Sequence, residues 1–144
     1  MWKNFLVMPL ALKILTASAL SMLLVIVSTL LPGSPIDVFG REMTHAEWWA
    51  TGAGLVTVLV GVSSIAAAVL MLKRSRYGRP AYMVASAAMS VSVLLIAAVA
   101  GANVVRWIPA TLANVLLTLM IALYLYLSKG SSVYFGRDET HDKK

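Results

Sequence analysis

Residues 49–80 read WATGAGLVTVLVGVSSIAAAVLMLKRSRYGRP, and this stretch decides the fold class. Its first part, residues 49–72, contains no charged residue and is long enough to cross about 30 Å of hydrocarbon at 1.5 Å of helix rise per residue. The second part carries four basic residues between Lys73 and Arg79. Because the interior of a bilayer offers no partner for backbone polar groups, the pattern predicts a transmembrane helix that stops at a basic flank.

Three further apolar runs complete the membrane-spanning pattern. They cover residues 10–31, 81–105 and 110–127, beside the run at 49–72. Only 12% of the residues are charged, against about 25% in a typical soluble domain, and 60% are hydrophobic. A bilayer can cover that much apolar surface. The sequence therefore predicts an all-α membrane protein with four transmembrane helices.

The connectors between the spans predict how the helices are arranged. Most are short, so consecutive helices are expected to be antiparallel neighbours in an up-down bundle. The bundle is expected to form one domain over residues 1–128, followed by a polar cytoplasmic tail over residues 129–144. No convincing internal repeat is present, which disfavours an inverted-repeat transporter.

The lysines and arginines predict the orientation of the spans. If the four helices alternate in direction, ten basic residues lie on one side of the membrane, and Arg41 and Arg106 lie on the other. Loops rich in lysine and arginine normally face the cytoplasm. Both termini are therefore expected in the cytoplasm, and the Ala-, Val- and Leu-rich spans favour a bacterial inner membrane.

The first apolar run has two interpretations. Ala17-Ser18-Ala19 has the small-residue pattern of a signal-peptidase site, so the run could be a cleaved signal peptide. However, Lys13 interrupts the apolar region before that site, and the run continues to Leu31. The flexible stem of a lysine near the end of a span lets its ammonium reach the headgroups. A retained membrane anchor is therefore expected.

The connector before the second span is the one sizeable loop between spans. Thr44 and Glu47 have the spacing of a capping box, so the second helix is expected to begin at Thr44 and to run unbroken for about 44 Å to Lys73. A solvated helix-capping loop is the simpler interpretation of the neighbouring residues, and a contact surface for another protein is the alternative. The residues of that contact surface are Arg41, Glu42, His45, Trp48 and Trp49.

Two amides and an arginine lie near the outer ends of the third and fourth spans. A buried amide in lipid is stabilised by a hydrogen-bond partner, by about 0.6–2 kcal/mol. A hydrogen bond across the helical hairpin is the simpler expectation, and a polar ligand pocket is the alternative. The residues of that pocket are Asn103, Arg106 and Asn114.

Small residues recur at four-residue spacing within the spans, as in the pairs Ser64/Ala68 and Ala97/Gly101. This spacing lets helix backbones approach closely. Packing within the bundle is the simpler expectation, and a docking face for another membrane protein is the alternative.

The basic connector between the second and third spans is first of all a topology signal. The same charges attract anionic lipid headgroups, by about 1 kcal/mol for each basic residue. The residues expected to contact anionic lipid are Lys73, Arg74, Arg76 and Arg79.

Residues that would carry chemistry are sparse. The chain has no cysteine, which excludes disulfides and thiolate metal sites. No acidic residue, histidine or arginine lies in the middle of a span, so proton relays and haem ligation between helices are not expected. No cofactor, metal site or nucleic-acid partner is expected, and an enzyme acting at the outer interface would have only Glu42 and His45 to use.

These observations favour a non-enzymatic membrane protein that binds another membrane component. An accessory subunit, an assembly factor or an immunity-type protein would fit, with membrane lipids and either another membrane protein or a second copy as partners. The alternative is a small transporter or a protein that handles lipids or small molecules, which would need a polar cavity.

Overall fold

The computed structural model describes residues 1–33, 36–38 and 40–136, apart from the side chain of Trp2. In these residues the chain forms seven α-helices, a two-stranded antiparallel sheet and a 3-10 turn. In chain order they are α1 (Trp2–Val7), α2 (Leu10–Leu30), β1 (Ile36–Val38), β2 (Arg41–Met43), α3 (His45–Ala50), α4 (Ala53–Leu72), α5 (Gly78–Val99), the 3-10 turn (Val104–Trp107), α6 (Ile108–Leu127) and α7 (Lys129–Gly136).

Four of these helices are long and apolar enough to cross a membrane. They are α2, α4, α5 and α6, the last extended by the 3-10 turn. Large apolar side chains are exposed along all four, which is the surface that lipid covers. The prediction of a mostly helical membrane protein with four spans packed as a bundle is therefore confirmed.

The spans pack on one another in chain order, α2 on α4, α4 on α5 and α5 on α6. The backbones of α2 and α4 approach closely because Gly61 has no side chain, and a Cβ there would lie 2.8 Å from Cγ1 of Ile26. Ser64 and Ala68 are both buried in α4. This predicted pair of small residues therefore packs within the bundle.

The start of the second span differs from the prediction. The capping box is confirmed, because Glu47 N donates to Thr44 Oγ1 at 3.2 Å and Thr44 N donates to the Glu47 carboxylate at 2.8 Å. The prediction of an unbroken helix to Lys73 is wrong. Gly52 has φ +81°, a left-handed conformation that interrupts a right-handed helix. The short α3 and the long α4 are therefore separate helices.

The third span ends at Val99, earlier than the predicted residue 105. Gly101 has φ +68°, its N–H donates to the Ala98 carbonyl, and the Ala102 N–H donates to the Ala97 carbonyl. This is a Schellman motif, which terminates a helix. Ala97 is buried but Gly101 is exposed, so the second predicted pair of small residues divides between core and cap.

The two strands form a short hairpin at one end of the spans, here called the hairpin end. Ile36 pairs with Met43, and Asp37 pairs with Glu42. A buried apolar cluster joins the hairpin to α3, α4 and the end of α5. Its buried members are Val38, Met43, Trp48, Ala53 and Ala100.

The opposite end of the spans, here called the basic end, is covered by α1 and α7. Residues 129–136 form α7 where the sequence predicted a polar tail, and residues 137–144 of that tail lie outside the described residues. Tyr134 and Phe135 are buried, and the Tyr134 hydroxyl donates to the Met71 carbonyl at 3.2 Å. The described part of the tail therefore belongs to the packed helical domain.

Candidate functional site

Arg41 lies on β2 and reaches the carbonyl end of α5. Its Nη1 donates to the Ala100 carbonyl oxygen at 2.6 Å. Carbonyl groups at a helix C-terminus lack partners within the helix, and the helix dipole favours a cation there. A Cβ on Gly101 would lie 3.2 Å from the same nitrogen, so the guanidinium fits closely against this glycine. Arg41 therefore caps α5.

His45, at the start of α3, lies beside the carbonyl end of α2. Its Nε2 is 3.2 Å from the Thr29 carbonyl oxygen and also 3.2 Å from Nε1 of Trp49. One imidazole nitrogen either donates to the carbonyl or accepts from the indole, and the tautomer decides which. The first form connects α3 to the end of α2, whereas the second makes a hydrogen bond within α3.

The two tryptophans pack onto α4 rather than standing free. A Cβ on Gly54 would lie 2.9 Å from the Trp49 ring and 3.0 Å from the Trp48 ring. Trp48 is buried, and its indole N–H has no acceptor among the described residues. Of the five predicted contact residues, Glu42 is exposed without a tertiary hydrogen bond in the described part of the chain, whereas the other four make internal contacts.

The capping box also sets the electrostatics of this segment. The backbone N–H of Thr44 donates to the Glu47 carboxylate, and this hydrogen bond lowers the pKa of Glu47 below its ordinary value of 4.5. A carboxylate that accepts hydrogen bonds is stabilised in its charged form. Glu47 is therefore a structural carboxylate.

The residues of the predicted polar pocket belong to two neighbouring elements, the 3-10 turn and α6. Asn103 is exposed and caps the 3-10 turn, accepting from Val105 N at 3.2 Å. Arg106 lines an open cleft of about 430 Å³ together with Asp37 and Trp107. Asn114 lies further along, about 9 Å into α6 at 1.5 Å per residue. In the described residues Asn103 and Asn114 do not line that cleft.

Asn114 is half-buried in α6. Its backbone carbonyl accepts from the Thr118 hydroxyl at 2.9 Å, but its side-chain amide has no hydrogen bond within the described part of the chain. The expected hydrogen bond across the α5–α6 hairpin is therefore not formed by the described residues. α6 is also the most exposed span, since Leu125 is its one buried residue in this description.

The basic connector divides into two kinds of residue. Lys73 and Arg76 are exposed. Arg74 and Arg79 are half-buried against α7, with their guanidinium carbons 4.7 Å from the ring centres of Tyr134 and Phe135. Each of these two contacts has the geometry of a cation–π interaction.

Two cavities contain residues that the sequence did not single out as a site. One, of about 60 Å³, lies among α2, α4 and α5 and is lined by Ser18, Ser64, Ser86 and Tyr82. Its hydroxyl lining suits water, and its volume suits only a few water molecules. The other, at the basic end, includes Lys129 and Tyr134 beside Arg74. Arg74, Lys129 and Tyr134 lie far apart in sequence, so no local pattern indicated that they line one cavity.

Among the described residues, no three histidine or acidic side chains come together in a group that could hold a metal ion. Comparisons with known protein families, with curated proteins and with solved structures find no match for this chain.

Proposed function

We propose that this protein is a non-enzymatic integral membrane protein that works by binding another membrane protein through its spans. It would serve as an accessory subunit, an assembly factor or an immunity-type protein. The observation that carries the proposal is the side-chain amide of Asn114, half-buried about 9 Å into α6 without a hydrogen bond in the described residues.

The Asn114 amide supports a protein partner more strongly than the apolar surface around it does. Exposed leucines on a span are covered by lipid and require no partner. Lipid chains cannot hydrogen-bond to an amide, so a neighbouring helix that offers a hydroxyl, an amide or a free carbonyl is favoured beside Asn114. α6 packs mainly on one span, α5, and most of its described residues are exposed, so it has surface on which such a helix can pack.

The free energy that this amide contributes to association determines the loss of affinity expected when it is removed. Hydrogen bonds between transmembrane helices are worth about 0.6–2 kcal/mol, which corresponds to about 3- to 30-fold in affinity. Asn114→Leu removes the amide at similar volume, so we expect it to weaken association by a factor in this range without unfolding the bundle.

The experiment is photo-crosslinking in the host membrane. A photoreactive residue at Leu117, which is exposed one turn from Asn114, is compared with one at Leu24, which is exposed on α2. We expect a discrete protein adduct from position 117, little from position 24, and loss of the adduct in Asn114→Leu. The proposal would be refuted by equal crosslinked products at both positions, or by an adduct whose yield does not change in Asn114→Leu. An adduct of twice the chain's own mass would show instead that the protein associates with a second copy of itself.

We also propose an up-down arrangement in a bacterial inner membrane, with the basic end and both termini in the cytoplasm. Support comes from the charges, because seven described lysines and arginines lie in α1, the start of α2, the α4–α5 connector, the start of α5 and α7. The three described carboxylates belong to the hairpin and α3. Because the chain has no cysteine, single cysteines at Glu42 and Arg76 can be labelled in intact cells. Labelling from outside is expected at position 42 alone, and labelling at both positions or only at 76 would contradict the orientation.

A further inference from the structure

The basic end contains a cavity of about 320 Å³ where the start of α2 meets α7, here called the Arg74 cavity. One part of its lining is cationic and the other part is apolar. Its lining includes Val7, Pro9, Arg74, Lys129, Val133 and Tyr134.

Arg74 provides hydrogen-bond donors at this cavity that have no acceptor among the described residues. Its Nε is buried and has no partner, and its guanidinium donates to no acceptor among the described residues. The side chain is held in place by the Tyr134 ring and by a left-handed backbone with φ +55° that ends α4. A guanidinium fixed with free donors matches the paired oxygens of a phosphate or a carboxylate.

The charge around the cavity selects an anion. Lys129 adds a second cation, and it begins α7, whose first-turn N–H groups also favour negative charge. The described carboxylates all lie in the hairpin and α3, so none of them neutralises this cavity. The chain's remaining acidic side chains, Asp138, Glu139 and Asp142, lie outside the described residues.

The apolar wall indicates which anion fits. Val7, Pro9 and Val133 line the same cavity, and Val7 and Val133 are largely exposed. Pro9 directly precedes the first residue of α2, so this wall lies where a span begins. A phospholipid offers a phosphate next to an apolar chain, whereas free phosphate would leave the wall uncovered.

We propose that the Arg74 cavity is a discrete site for a phosphate-bearing anion, filled in the membrane by the headgroup of an anionic phospholipid. The phosphate accepts hydrogen bonds from Arg74 and lies beside Lys129, and the glycerol and first chain carbons cover Val7 and Val133. This differs from general attraction of the basic connector to anionic membranes, because two particular cations are required. It does not depend on the proposed protein partner.

The experiment uses the full chain in mild non-ionic detergent at about 0.15 M salt, where charges more than about 8 Å away are screened. Binding of short-chain phosphatidylglycerol is measured by native mass spectrometry, with short-chain phosphatidylcholine and inorganic phosphate as the other probes. We expect Arg74→Gln to weaken phosphatidylglycerol binding at least about tenfold, as loss of charge-assisted hydrogen bonds implies. Lys129→Gln, which leaves the Arg74–Tyr134 contact intact, is expected to weaken it about fivefold.

The matched control is Arg76→Gln, which removes the same charge from the same connector at a residue that does not line the cavity. A change below about twofold is expected there because of screening. Equal losses in the Arg74, Lys129 and Arg76 variants, or no loss in the first two, would overturn the proposal. If inorganic phosphate binds as tightly as the lipid and depends on Arg74, the site holds free phosphate and the lipid assignment is wrong.

The chain's own carboxylates are the remaining competitor. A variant with Asp138→Asn, Glu139→Gln and Asp142→Asn tests whether they occupy the site. Unchanged lipid binding supports the proposal, whereas a rise of about tenfold or more would mean that the chain itself fills the cavity.

Discussion

Gly101→Ala tests the contact between the hairpin and the end of α5 more directly than any change in Arg41 alone. The variant has two consequences at one position. Gly101 has φ +68°, where an alanine is strained by about 1–2 kcal/mol. Its new Cβ would also lie 3.2 Å from Nη1 of Arg41, closer than most such contacts. The Arg41 guanidinium must then shift by a few tenths of an ångström, which weakens its hydrogen bond to the Ala100 carbonyl oxygen.

The second consequence adds to the first. A hydrogen bond from a charged donor contributes about 1.5–3 kcal/mol, and the lower end applies because Arg41 is largely exposed. Gly101→Ala should therefore cost up to about 3.5 kcal/mol in free energy of unfolding, of which at most about 1.5 kcal/mol comes from the hydrogen bond. Gly52→Ala is the matched control, because Gly52 has φ +81° and open space around the Cβ position. It should cost only the backbone part, about 1–2 kcal/mol.

The assay is reversible unfolding in mixed micelles, followed by circular dichroism, with Arg41→Met as a second background. In that background no guanidinium opposes the new Cβ, so Gly101→Ala should cost about as much as Gly52→Ala. The two substitutions should thus be non-additive by up to about 1.5 kcal/mol, as contacting residues are. Equal costs for the two glycines in the native background, or strict additivity with Arg41→Met, would refute the assigned cap.

Three further predictions concern the same end of the molecule. Thr44→Ala should lower the free energy of unfolding by about 0.5–2 kcal/mol because it removes the cap of α3, and an unchanged denaturation midpoint would show that the box is dispensable. The folded-state pKa of Glu47 is lowered, so the stability from this carboxylate is present above pH 4.5 and is lost as the pH falls through the folded pKa. A pH titration of unfolding should show that loss in the native chain and not in Glu47→Gln. Gly54→Ala and Gly61→Ala should each lower the free energy of unfolding by about 1–3 kcal/mol in the same assay, since a new Cβ would lie 2.9 Å from the Trp49 ring and 2.8 Å from Cγ1 of Ile26; an unchanged denaturation midpoint in either variant would contradict this packing.

The parts of the fold that depend on local sequence could be predicted. Four spans follow from the length of the apolar runs, and the capping box follows from the spacing of Thr44 and Glu47. The break at Gly52 could not be predicted in this way. A glycine inside a helix costs only about 1 kcal/mol relative to alanine, so the sequence does not distinguish a tolerated glycine from a left-handed one. The hairpin was not predicted because strands of three residues are too short to show a periodic pattern.

The candidate sites depended on contacts between residues far apart in sequence. Arg41 and Ala100 are 59 positions apart, and nothing local to either residue indicates the cap. Likewise Arg74 acquires its neighbours Lys129 and Tyr134 only through the folding of α7 onto the basic end. The prediction that Asn103, Arg106 and Asn114 form a pocket rested on their nearness in sequence, and of the three Arg106 lines the described cleft beside Asp37 and Trp107.

The hydrogen bond from Tyr134 to the Met71 carbonyl has a consequence for biosynthesis. The ribosome makes residue 71 well before residue 134, so the carbonyl end of α4 must wait, without this donor, while two more spans are translated. The Ser131 hydroxyl, which donates to the Leu125 carbonyl at 2.9 Å, arrives in the same late segment. Docking of α7 therefore follows translation of both later spans, and a nascent chain stalled before residue 129 would lack the hydroxyl donors to the Met71 and Leu125 carbonyl oxygens.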